Sequence, residues 1–224
     1  MKIKLSASLL CALALCGTSL LAQEPAAATK TLTTNEKSKV HVPDPAPAGL
    51  VAIFSNLGPS ANAYNDEFGA VVAGPASTAA ISFAYALPFT PKSNAHVHAI
   101  RAAMSYLQGT GGATQVNLSI YTDANGVPGT ILAGPITLAN LPAFGTCCQL
   151  GTAKLTTPLP VRAGTRYWIV ADTPTSGTGD DFYGVWEFVV PTPFLQASNV
   201  GGFVWAPVNG GYQDAAAGVF GTIP

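Results

Sequence analysis

Charge is scarce in this chain. Asp, Glu, Lys and Arg make up 9% of its 224 residues, where soluble proteins carry roughly 25%. Helices usually set Lys and Glu on their solvent face, so a shortage of both is a shortage of helix. The Gly, Pro, Thr, Ala and Val that fill the gap suit strands and turns. Beyond Gly49 five basic and eight acidic residues leave a net charge of −3. No basic patch exists to neutralise phosphates, so nucleic acid is not an expected partner, and attraction to an anionic membrane surface is disfavoured.

Catalytic motifs are missing too. There is no G-x-S-x-G elbow, Walker loop or H-E-x-x-H, and the cluster Gly109, Gly111, Gly112 lacks the Lys-Ser/Thr ending of a phosphate loop. A glycosidase needs two carboxyls across a cleft. Asp66, Glu67, Asp123, Asp180, Asp181 and Glu187 are the candidates for such a pair, and no second feature supports that chemistry. His96 and His98 share one side of a strand, but three or four ligands make a metal site and no third is identifiable.

What the chain does have begins at its start. Lys2 and Lys4 precede an apolar run from Leu5 to Leu15, and small residues lead to Ala22. A basic n-region, a short h-region and a small residue at the cut predict a secretory signal peptide over 1–22, too short for a comfortable membrane anchor. The mature protein is then expected outside the cytoplasm, secreted or in the periplasm or cell envelope, with no transmembrane segment. Cys11 and Cys16 follow Leu10 and Leu15, where lipoprotein processing wants a small residue, so they read as part of the h-region. Residues 23–49, ending in "PDPAPAG", hold few large apolar groups and predict a flexible linker.

After Gly49 short apolar runs alternate with turn signals. Residues 81–87 place Ile81, Phe83, Tyr85 and Leu87 on one face, and 115–121 place Val116, Leu118 and Ile120 inward with Gln115, Asn117 and Ser119 outward; each reads as a half-buried strand. Further strands are predicted at 51–54, 68–73, 131–138, 152–157, 166–172, 184–190, 202–206 and 217–222. Residues 96–107 fit a helix and a strand equally. "TDANGVPGT" at 122–130 predicts a hairpin connection with two successive tight turns. "PVRAGTRYWIVAD" at 160–172 reads similarly, its strand apolar on both faces and so interior to a sheet. With no helical crossovers, the fold class is all-β: one antiparallel sandwich of about ten strands, jelly-roll-like, over 50–224.

Three groups of residues stand out as candidate sites. Cys147 and Cys148 are adjacent, and an oxidising compartment favours a bond between them. Their Cα atoms lie about 3.8 Å apart across a trans peptide, inside the usual disulfide limit of about 4.4 Å, so such a ring is strained; free or intermolecular thiols are the alternative. Trp168, Trp186, Trp205, Tyr183 and Tyr212 crowd the C-terminal third. Exposed rings among Tyr183, Trp186, Trp205 and Tyr212 could stack on sugars, whereas core packing is the ordinary use of such residues. Asp123, Asn125, Asp180 and Asp181 lie in loop-like sequence where hard oxygens could hold calcium, and turn chemistry explains them equally. No other cofactor is expected.

Several segments together resemble the choice-of-anchor R domain, a bacterial extracellular module. They are "ALPFTP" at 86–91, "SIYTDANGVPGTIL" at 119–132, "LPAFGTCCQL" at 141–150, "VRAGTRYWIVAD" at 161–172 and "GGFVWAPVNGGYQDAAAGVFG" at 201–221. The resemblance runs from about residue 52 onward. It implies a single antiparallel β-sandwich and a strand at 96–107, and it supplies neither ligand nor catalytic residues. Proteins similar to this carry the module ahead of varied surface-sorting tails, a pattern not seen up to Pro224. The expected function is binding or display, toward glycan or a protein surface. A structural envelope protein is the alternative, and a carboxylate-dependent glycosidase the third reading.

Overall fold

The computed structural model describes residues 31–32, 46–57, 64–108, 114–145, 150–174, 180–193, 196–201, 204–208 and 213–224. These form fourteen strands: β1 (Thr31–Leu32), β2 (Val51–Ser55), β3 (Asn65–Ala73), β4 (Phe83–Phe89), β5 (Ala95–Gln108), β6 (Val116–Asp123), β7 (Pro128–Leu138), β8 (Leu150–Val161), β9 (Tyr167–Asp172), β10 (Tyr183–Pro193), β11 (Gln196–Val200), β12 (Trp205–Val208), β13 (Gln213–Ala215) and β14 (Ala217–Thr222). The strand pairs are all antiparallel. Along the sheet the order is β2-β14-β5-β10-β3-β4-β9-β6-β7, with β8 beside β5 and β11 between β4 and β12. The sheet curls into a half-barrel, so the all-β, sandwich-like expectation holds.

One long strand makes the curl. The first part of β5, Ala95–Ala103, pairs with β8, and its last part, Met104–Gln108, pairs with β10. A strand that passes from one layer to the other turns a corner without breaking the ladder. Residues 96–107 are therefore strand, and the helical spacing of Val97, Ile100, Met104 and Leu107 is coincidental. Inside the curl Tyr85, Ile100, Leu118, Ile169, Trp186 and Val219 are each at most 1% exposed and belong to one cluster. Phe89 stacks on Tyr167 at 5.6 Å, and Tyr85 meets Trp186 edge-on at 6.4 Å.

Alternation predicted the inward face of β6 correctly but not its outward one; of the face expected over 81–87, Tyr85 and Leu87 are buried and Phe83 half-buried, while Ile81, ahead of β4, is exposed. Val116, Leu118 and Ile120 are fully buried, yet Asn117 and Ser119 are buried too, at 7% and 1%. A second apolar cluster on the outer face, of Ala86, Trp168, Val170 and Ala197, explains the cover. The strand β9 lies between β4 and β6 as its two apolar faces require.

Connections differ more. Between β6 and β7 a single tight turn is made by Asn125 (φ 58) and Gly126 (φ 90), closed by the Ala124 N–H on the Val127 carbonyl at 2.8 Å. Both central residues take positive φ, the two-residue hairpin geometry that Asn-Gly favours. Pro128 and Gly129 already belong to β7, so the second turn is not formed. Residues 162–166 turn at Gly164 (φ 71) but join β8 to β9, which pair with different neighbours, so this is a layer crossover and not a hairpin. In the segment expected to be a linker, Thr31–Leu32 pair with Ala70 and Gly69. Residues 1–30, over which the leader was expected, lie outside the described residues.

Candidate functional site

The aromatic candidates separate on burial. Trp186 is 0% exposed on the inner face of β10, and its indole N–H donates to the Ala216 carbonyl at 2.9 Å. It has no open face to offer a ligand. Tyr183, 8% exposed, packs on the opposite face of β10 with Val71, Ala73 and Phe83. Trp168 is buried among Ala86, Val170 and Ala197. Trp205 alone of these is half-buried, packed against that outer cluster. Tyr212, Cys147 and Cys148 lie outside the described residues.

The oxygen candidates separate as well. Asp123 Oδ1 accepts the Trp168 indole N–H at 2.8 Å, Oδ2 accepts the Gly126 N–H at 3.3 Å, and Arg166 stands 3.8 Å away. Asn125 is exposed at the positive-φ turn position. Both residues build the β6–β7 hairpin. Asp180 and Asp181 form one turn of 3-10 helix on another part of the chain. Glu187 is 3% exposed and accepts the Ser105 hydroxyl. Among the described residues, no three of His, Cys, Asp and Glu gather as a metal site, His96 and His98 included.

What the fold does bring together is a hollow of about 390 Å³ on the outer face, within the roughly 300–1,000 Å³ of small-molecule sites. Tyr121 and Asp172 enter from neighbouring strands β6 and β9. Asn199 and Trp205 enter from β11 and β12, where they are direct cross-strand partners, and Asn199 also faces Ala84 of β4. Phe83 and Asp180 complete the wall.

Backbone bonds hold Asp180 in place. The Gly74 N–H donates to the Phe182 carbonyl at 2.8 Å, and the Ala76 N–H donates to the Asp180 carbonyl at 3.0 Å. Gly74 must be glycine here, because a Cβ would sit 1.9 Å from the Asp180 carbonyl oxygen.

Among the described residues the lining holds two carboxyls and no Lys, Arg or His. Burial pushes Asp172 up from its ordinary 3.8 to about 6, partly opposed by a hydrogen bond from Asn117. The Asn117 carbonyl oxygen in turn accepts the Thr137 hydroxyl at 2.9 Å. Burial, and then the charge of Asp172, push Tyr121 above its usual value. One side-chain oxygen on each of Asp172, Asp180 and Asn199 is closed to solvent and has no hydrogen-bond partner. Buried acceptors are nearly always paired in folded proteins; the donors that the lining itself carries are the side chains of Ser82, Thr173, Tyr121 and Asn199.

Of the residues expected at a site, Trp205 and Asp180 meet here, while Trp186, Tyr183, Asp123 and Asn125 do not. Asp172, Tyr121 and Asn199 were missed. For Tyr121 the signal was present: the alternation that sends Asn117 and Ser119 outward sends it outward too. Asp172 is the lone carboxylic acid of "YWIVAD", also a visible cue. Asn199 lies on a short polar strand that gave none. The chain matches no protein-family model and no curated sequence.

Proposed function

We propose that this protein is an exported, non-catalytic β-sandwich that binds a glycan in the outer-face hollow walled by Trp205 and Tyr121. The reading rests on one observation: two aromatic side chains share a 390 Å³ concavity with the polar side chains of Asp172, Asp180 and Asn199. Sugar rings present C–H faces that pack on aromatic rings and hydroxyls that pair with polar groups of this kind. The leader-like start and the resemblance to choice-of-anchor R modules support display at the envelope or outside the cell. Screening the purified protein on a glycan array, with Trp fluorescence to follow hits, tests it. A hit whose affinity falls roughly tenfold or more in Trp205→Ala is expected; silence across the array, or hits indifferent to Trp205, sinks the reading.

A second reading has its own observation. Asp172, held near 6, shares the hollow with Asp180, and a pair of carboxyls of which one is raised is how glycosidases divide acid and base roles. Reducing-end release from any bound glycan, abolished in Asp172→Asn with binding intact, would establish it over simple binding.

A further inference from the structure

We infer that the hollow selects a sugar bearing a free ammonium group, an amino sugar that is not acetylated, over neutral and acidic sugars. This rests on the glycan reading above and narrows it. Two carboxyls line the space with no cationic side chain among the described residues of the lining, so the wall offers negative charge that these residues do not neutralise. Across the whole segment beyond Gly49 basic residues are only five. One of the nearest in sequence, Arg166, is beside Asp123 and not in the lining.

The chemistry of the acids sharpens the point. Asp172 and Asp180 line the hollow, a carboxylate only accepts, and an ammonium carries three donors and no acceptor. Carboxyl groups rotate over a broad, roughly twofold torsion, so either oxygen of Asp172 or Asp180 can be turned to the space. The rings of Trp205, Tyr121 and Phe83 add faces that attract a cation by their quadrupole. A uronic acid would bring its own carboxylate against these carboxyls, a like charge with no ammonium to offset it.

Titration supplies an independent readout. Ammonium binding favours ionised Asp172, so affinity should fall as pH drops through about 6. The titratable groups in the lining are Asp172, Asp180 and Tyr121.

Three trisaccharides test the inference on the purified protein by calorimetry: a glucosamine trimer, its fully N-acetylated form, and a galacturonate trimer. The glucosamine trimer should bind about tenfold or more tightly than the acetylated one, the scale of a charge-assisted hydrogen bond. The galacturonate trimer should bind more weakly still. Moving from about pH 7 to about pH 5 should weaken only the glucosamine trimer. Asp172→Asn should erase the preference while keeping the far-UV spectrum, and Asp180→Asn provides the second variant should the first misfold.

Equal or tighter binding of the acetylated or uronate trimer overturns the ammonium preference and leaves the glycan reading standing. Failure of all three overturns both. A lysine tripeptide binding as tightly as the glucosamine trimer overturns the assignment to a sugar.

Discussion

At neutral pH Asp172 is ionised in a wall that gives one of its oxygens no donor, and that is a cost to the fold. Its folded value of about 6 lies above the ordinary 3.8, so the native state binds the proton more tightly than the unfolded chain. The penalty is fully present above about pH 6, is relieved as pH falls toward 3.8, and amounts at neutral pH to about 3 kcal/mol at most. Because the other carboxyls also titrate, the measurement is a difference. Urea unfolding of the wild type and Asp172→Asn should show the wild type gaining on the variant between pH 7 and 4; a gap that is constant with pH contradicts the burial of this carboxyl. Asp123 works in the opposite way, since it satisfies a fully buried indole and the hairpin backbone together. Asp123→Ala should cost about 1–3 kcal/mol in urea unfolding without changing glycan affinity. Its sequence neighbours Asn125 and Gly126 announced the turn, but nothing local told that the carboxyl would serve Trp168, 45 residues away.

Among elements, the join between the end of β3 and residues 180–182 controls the site most directly. Gly74→Ala pushes a methyl against the Asp180 carbonyl oxygen, and because the obstacle is backbone, relief requires moving the segment. Overpacking of this sort costs about 1–3 kcal/mol. The variant should unfold at lower urea and bind its glycan more weakly; unchanged affinity would show that Asp180 does not contribute to the hollow. The strands framing this join were legible, because apolar alternation or continuous apolar runs mark β4, β6 and β9. β11 and β13 were not: "QASNV" and "QDA" carry no period, and they are strands because β4 and β10 offer them edges. Half of the site hangs on those edges, which is why Asn199 was invisible while Trp205 could be named but not placed. The outer cluster around Trp168 escaped notice for a related reason. Periodicity reveals which face is apolar, but cover over a polar face such as Asn117 and Ser119 comes from distant segments.

Over the molecule as a whole, one apolar cluster draws side chains from β3 through β14 and both layers of the curl. No large subset can separate without exposing the rest. Unfolding followed by far-UV circular dichroism and by the emission of Trp168 and Trp186 should therefore give coincident midpoints. Midpoints that diverge would show that the two layers melt separately. Composition made this architecture readable, since scarce charge and frequent turn residues leave little besides stacked sheets. The curl itself was not readable, because it depends on β5 changing partners midway along a single apolar run.

The position of β14 bears on timing. It is the last strand in the sequence, yet it lies between β2 and β5 with partners on both sides. A ribosome-bound chain lacking residues 217–222 holds an open slot where two early strands should be bridged, so its native sheet cannot close until that stretch has emerged.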